Sequence, residues 1–150
     1  MQKEQMIKVK AMCLLIQDGF VLVADGATLK SKVRKVVPQN FYRVLGGSFN
    51  FDESAEEAVR REIMEEAGVE IEDLTFLKVV ENRFIYAGEV GHEIVFLFKG
   101  APKSRMDTTK IVHIDEGTYE GDAVWVTIPD LLEGTKPLYP ELDYTPFLNQ

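Results

Sequence analysis

The chain has 150 residues, is 45% hydrophobic and 28% charged, and carries a formal net charge of −8. That length is enough for one domain over residues 1–150 with a real core, and the composition is that of a folded chain rather than a disordered one. The acidic balance disfavours duplex nucleic acid as a partner. No apolar run approaches the ~20 residues of a membrane span. The first run, residues 11–16, is closed by Asp18-Gly19 too early for a signal peptide. Cys13 is the only cysteine, so no internal disulfide forms, and a reducing, cytoplasmic setting is expected.

In chain order, residues 8–16 and 20–24 read as apolar strands joined at Asp18-Gly19, a strong hairpin signal. Residues 26–40 read as an irregular basic loop, and residues 41–45 as a short strand running into Gly46-Gly47. A helix is expected from Ser54. Ser54-Ala-Glu-Glu57 has the form of a capping box, Glu56 and Glu57 complement the helix dipole, and Gly68 is placed to end the helix. Val59, Ile63 and Ala67 make its core stripe. Residues 74–82, 84–87 and 93–99 read as strands, and residues 100–122 as a polar loop with a short strand at 110–114. Another strand covers 123–128, a short helix starts at Pro129-Asp130, and a last helix falls within 140–150. Strands on both sides of a central helix imply an α/β domain with a mixed sheet.

Charge is concentrated rather than spread. Residues 52–73 contain ten acids against Arg60 and Arg61, whereas residues 26–51 contain five bases and no acid. Glu62, Glu65 and Glu66 crowd one helical turn, over an arc of about 100° beside the core stripe. Like charges at these spacings destabilise a helix unless compensated. A hard divalent cation that also takes phosphate oxygens would compensate them. The competing reading is an acidic, solvated helix face.

Gly47, Glu53, Arg61-Glu62, Ile63, Glu65-Glu66, Gly68 and Val69 fill every defined position of G-x5-E-x7-R-E-U-x-E-E-x-G-U. On these residues the chain resembles the Nudix hydrolase superfamily, MutT-like, and the likeness extends over residues 8–133. It departs from the common pattern in two turns: Val44 stands before Leu45-Gly46-Gly47 in place of a Leu-Pro entry, and Asp52 replaces the usual Gly before Glu53. The resemblance implies a Nudix fold, with a mixed β-sheet sandwiched between helices (α/β/α).

It also implies Mg²⁺-dependent cleavage, with Mn²⁺ as substitute, of a nucleoside diphosphate linked to another moiety. The substrate would be a small nucleotide: a nucleoside triphosphate, an oxidised nucleotide or a dinucleoside polyphosphate. Carried over residue by residue, the metal ligands are Glu62 and Glu66, with Glu65 and the Gly46 carbonyl beside them, and Arg61 orients the acids. The general base comes from outside the box; Glu120 is preferred on its spacing from Trp125, with Glu116 and Glu93 as alternatives. Arg43 is expected to meet phosphate, and Tyr86 and Phe84 to line the substrate pocket. Tyr86, placed seventeen residues beyond Val69, is similar to the tyrosine of dinucleoside polyphosphate hydrolases. The alternative function is a Nudix-fold module that binds a nucleotide without cleaving it. An RNA-end processing enzyme would need a basic track that the net charge disfavours, and a homodimer is left open.

Overall fold

The computed structural model describes residues 5–148. Its centre is β1 (Lys8–Gln17), whose residues Ala11–Leu15 are all buried because neighbours lie on both edges and on both faces. The Asp18-Gly19 turn, with φ of 53° and 78°, returns the chain into β2 (Phe20–Asp25). This double left-handed turn matches the twist of a two-residue hairpin. A 3-10 turn (Gly26–Thr28) and the two-residue β3 (Lys30–Ser31) follow, so the basic loop is partly ordered onto the sheet. The later elements are β4 (Tyr42–Ser48), α1 (Ala55–Ala67), β5 (Ile71–Tyr86), β6 (Glu89–Pro102), β7 (Val112–Asp115), β8 (Tyr119–Thr127), α2 (Ile128–Glu133), β9 (Leu138–Tyr139) and α3 (Thr145–Leu148).

Among the described residues the strands form one nine-stranded sheet in the order β3-β8-β2-β4-β1-β6-β5, with β7 beside β8 and β9 beside β4. β1 runs parallel to β6 and antiparallel to β4, so the sheet is mixed. Ala11, Cys13 and Leu15 pack against Ala58, Val59 and Ile63 of α1. Met12 and Leu14, on the opposite face, pack with Ile128 and Leu131 of α2 and Leu148 of α3. The fold is therefore the expected mixed sheet flanked by helices.

Two expectations are corrected. Residues 74–82 and 84–87 are one strand, β5, rather than two. It pairs with β6 from Ile71 to Tyr86 and absorbs two register shifts, between Glu72 and Thr75 and between Phe76 and Lys78. These bulges break the sequence alternation without ending the strand. β8 begins at Tyr119 rather than Ala123, because β3 and β7 pair with its first residues. The last helix expected within 140–150 is present as the short α3, and residues 149–150 lie outside the described part. No helix among the described residues is long and apolar enough to cross a membrane.

Cys13 is fully buried, and burial pushes its thiol up to about 12. The thiolate that reacts is then suppressed throughout the neutral range. The native protein is expected to resist alkylation by iodoacetamide and to react at Cys13 only as fast as the core opens. Mass spectrometry with and without urea checks this.

Candidate active site

The acidic turn is held by local signals that act as anticipated. Ser54 Oγ accepts from the Glu57 amide and Glu57 Oε1 accepts from the Ser54 amide, each at 3.1 Å. Gly68, at φ 70°, ends α1 and donates its N–H to the Met64 carbonyl. Only a left-handed residue closes the helix in this way, which explains glycine there. Val59 and Ile63 fix the helix to the sheet, and this presents Glu62 and Glu66 toward β4, at Gly47 and Arg43.

Arg61 is the local counter-charge. Its Nε and Nη2 donate to the two Glu53 oxygens at 2.7 and 2.9 Å, and Nη1 donates to Glu62 Oε1 at 2.9 Å and to Glu65 at 3.2 Å. Nη2 also donates to the Ser48 carbonyl at 2.9 Å, tying the helix to the end of β4. The fork–fork pair with Glu53 is the strong kind of ion pair. It holds the Glu53 carboxyl down at about 2, through the Arg61 hydrogen bond first and the Asn50 amide second. Glu65 is 57% exposed on the outer side.

Glu62 lies against bare backbone. A Cβ built on Gly47 would stand 2.5 Å from Glu62 Oε2, so glycine makes room for the carboxylate. Burial pushes the Glu62 carboxyl upward, and Arg61 opposes that. Gly46, at φ 148°, has no room for a side chain either, since a Cβ would fall 2.1 Å from the Ala11 carbonyl.

Glu66 is the most enclosed of the set. Its side chain is 2% exposed, and among the described residues neither carboxylate oxygen meets a hydrogen-bond donor. Arg43 Nη2 is 3.9 Å away. Burial first, and the neighbouring Glu116 carboxylate second, push the Glu66 carboxyl well above the usual range. Arg43 itself clasps Glu116 through Nη1, at 3.1 Å, and through Nη2. Burial works against the Glu116 charge, but Arg43 outweighs it and keeps that carboxyl low. Burial likewise opposes the Arg43 charge, and Glu116, Glu66 and Glu93 together outweigh it and raise its pKa.

The base candidates separate in space. Glu116, in the β7–β8 turn, joins Arg43 and Glu66. Glu120 is already on β8, opposite Lys30, and lies 3.7 Å from His113 Nε2. Glu93 is buried on β6, where Asn82 Nδ2 donates to it at 3.3 Å and Lys10 Nζ stands 3.7 Å away. Lys10 escaped the sequence reading. Its only signal was a lysine alternating with Lys8 at the head of an apolar strand, yet its charge reaches both Glu62 and Glu116.

Tyr86 and Phe84 differ as well. Tyr86 packs edge-on against Phe41 and Tyr119 at 5.9 and 6.1 Å, and its buried hydroxyl has no partner among the described residues. Phe84 instead lies across Gly91 of the adjacent strand. Of the basic loop, Arg34 donates to the Tyr119 hydroxyl at 3.3 Å, and Lys32 pairs with Asp115 at 2.7 Å. Among the described residues no three His, Cys, Asp or Glu side chains are grouped to hold a metal ion as they stand.

The NUDIX domain family model matches residues 6–144. Human NAD(P)H pyrophosphatase NUDT13, mitochondrial, is 38% identical over 58 residues, which is 39% of this chain and 16% of that protein. The mouse protein of the same name is 38% identical over 55 residues, 37% of this chain and again 16% of that protein. The match thus spans a small part of these relatives' length. Among solved structures, the MutT NUDIX hydrolase from Burkholderia pseudomallei superposes with a TM-score of 0.63 at 24% identity, covering 91% of this chain and 92% of that one. The NUDIX domain of Shewanella oneidensis NrtR, complexed with ADP ribose, gives 0.56 at 20% identity, covering 91% and 80%. At such identities the structural likeness is one of fold. The chain belongs to the NUDIX domain family. That family typically requires a divalent metal.

The Glu53–Arg61 pair sets a pH dependence. A carboxyl depressed on folding contributes stability that is present above its unfolded value, about 4.3, and is lost as pH falls toward 2. Carbon-detected NMR is expected to follow Glu53 titrating near 2. In Arg61→Ala its midpoint is expected to rise toward the ordinary value of about 4.3, with the Asn50 amide still holding it somewhat lower, and the melting temperature should lose most of its extra fall over that window.

Proposed function

We propose that this chain is a Mg²⁺-dependent pyrophosphohydrolase that cleaves a nucleoside diphosphate linked to another moiety by attack of water on phosphorus. The observation that supports this best is Glu66, buried with both oxygens lacking a donor. An unsatisfied buried group costs about 1–3 kcal/mol, and more when charged. A hard cation is the ligand that suits such oxygens. Glu62, seated on the bare backbone of Gly47, fits the same ion. Glu62 and Glu66 would hold it, with the Gly46 carbonyl and Glu65 alongside, and Mn²⁺ would substitute. When bound, such an ion neutralises phosphate oxygens and lowers the pKa of water.

The chain's own residues do the rest. Phosphoryl transfer asks mainly for positioning and charge complementarity. Arg61 fixes Glu62 and Glu65 from the side and does not itself react. Arg43 presents a guanidinium suited to bidentate phosphate binding. At present it is clasped by Glu116. A substrate phosphate that took over Arg43 would free the Glu116 carboxylate to accept a proton from the attacking water. On this geometry Glu116 is a better base than Glu120, which sits beside His113. Tyr86, with its open hydroxyl, is the substrate-side aromatic, and Phe84 backs the neighbouring strand.

A nucleoside triphosphate, an oxidised nucleotide or a dinucleoside polyphosphate all contain the required bond. NAD(P)H, named for the curated relatives, contains it too. A second reading is a regulatory module that binds a nucleotide without turnover. The ADP-ribose complex of the NrtR domain is the observation in its favour. The intact set of box carboxylates speaks for catalysis.

A nucleotide panel with Mg²⁺ and Mn²⁺ decides between the two readings. Phosphate or nucleoside monophosphate release that stops with chelator is expected. Glu62→Gln should lower kcat by several orders of magnitude with an unchanged melting temperature. Wild-type turnover in that variant would refute the site. Glu116→Gln is expected to lower kcat by about 10²–10⁴-fold, while Glu120→Gln stays near wild type. Tight nucleotide binding in calorimetry, with no hydrolysis of any panel member, would instead establish the binding module.

A further inference from the structure

β5 ends the sheet, so its outer edge pairs with no strand among the described residues. Exposed edges template pairing with other chains, and proteins ordinarily blunt them with bulges, prolines or covering groups. The first half of β5 is blunted in this way. Both register shifts fall before Lys78, and Arg60 Nη1 takes the Ile71 carbonyl at 3.0 Å. The second half is not. From Lys78 to Tyr86 the strand is regular, contains no proline and is in unbroken register with β6. Its end is anchored by the packing of Tyr86 on Phe41 and Tyr119. One face of this stretch bears exposed apolar side chains: Val79 (48%), Ile85 (74%) and, across on β6, Val90 (75%).

We propose that this edge is an interface with a second copy of the chain, formed by antiparallel β5–β5 pairing about a two-fold axis at Asn82. The charges select that register. A two-fold axis perpendicular to the sheet keeps each face on its own side, so residues meet only partners of the same parity. Centring on Glu81 would set Glu81 against itself, and centring on Arg83 would do the same for Arg83. Centring on Val80 places Glu81 opposite Val79 and Arg83 opposite Leu77. Centring on Asn82 places Glu81 opposite Arg83 of the second copy, twice, and Val79 opposite Ile85, twice. Within one chain Glu81 and Arg83 already stand 3.9 Å apart. The pairing therefore closes a ring of four alternating charges and covers the exposed apolar residues with their own kind. Opposite charges directly across strands stabilise the pair and like charges oppose it. The interface is isologous, so it closes at two copies rather than growing into a filament.

The test is sedimentation velocity across the micromolar range at low salt. A concentration-dependent dimer is expected. Glu81→Arg and Arg83→Glu should each weaken it by about tenfold or more, because each turns two attractive pairs into repulsive ones. The double variant, Glu81→Arg with Arg83→Glu, should restore it. Both positions are exposed, and unchanged melting temperatures would confirm intact folds. Hydrogen exchange of amides 78–86 should slow as wild-type concentration rises. A monomer at all concentrations, a dimer indifferent to either single change, or failure of the charge swap to restore pairing would each overturn the proposal.

Discussion

The arrangement depends on two guanidinium groups bound among carboxylates. Three glutamates on one turn of α1 repel one another, and the turn persists because Arg61 spans Glu53, Glu62, Glu65 and the Ser48 carbonyl. Arg43 does the same work from the sheet side for Glu66 and Glu116. The two arginines differ in kind. Arg61 is saturated with donors in use, so it acts as a fixed brace. Arg43 is half-buried, with its buried Nε unpartnered among the described residues, so one of its donors remains unspent. The first supports geometry and the second has a hydrogen bond still to make.

How much of this could be read from the sequence follows from how local each interaction is. The capping box at Ser54, the Gly68 terminator and the Val59–Ile63 stripe depend on neighbours within a turn or two, so they were legible. The box residues around Arg61 were legible for the same reason, since Glu53 and Glu65 are eight and four residues away. Arg43 and Glu116 are separated by 73 positions, and no local pattern announces their pairing. The preference for Glu120 rested on counting back from Trp125 through a supposed loop. The strand starts at Tyr119, so Glu120 follows the strand's alternation to His113 while Glu116 stays in the turn.

β5 shows a related effect. Its two bulges scramble the alternation that would mark a single long strand, and Arg83 looks like a break where it is only a residue facing outward. The short β3 and β9 were illegible because two residues carry no periodic signal. Each exists because a longer neighbour offers it an edge.

The parallel partnership of β1 and β6 has a consequence for biosynthesis. Residues 8–15 bond to residues 93–100, so the strand at the centre of the sheet lacks one neighbour until residues 93–100 have left the ribosome. At about 5–20 residues per second that interval lasts several seconds. Distant pairing of this kind also slows the search for the native state. During that wait the apolar segment Ala11–Leu15 has its hairpin with β2, its contacts with β4 and its packing on α1 for shelter, but not its β6 edge. In the nascent chain this segment is thus open to chaperone capture or clumping until β6 arrives.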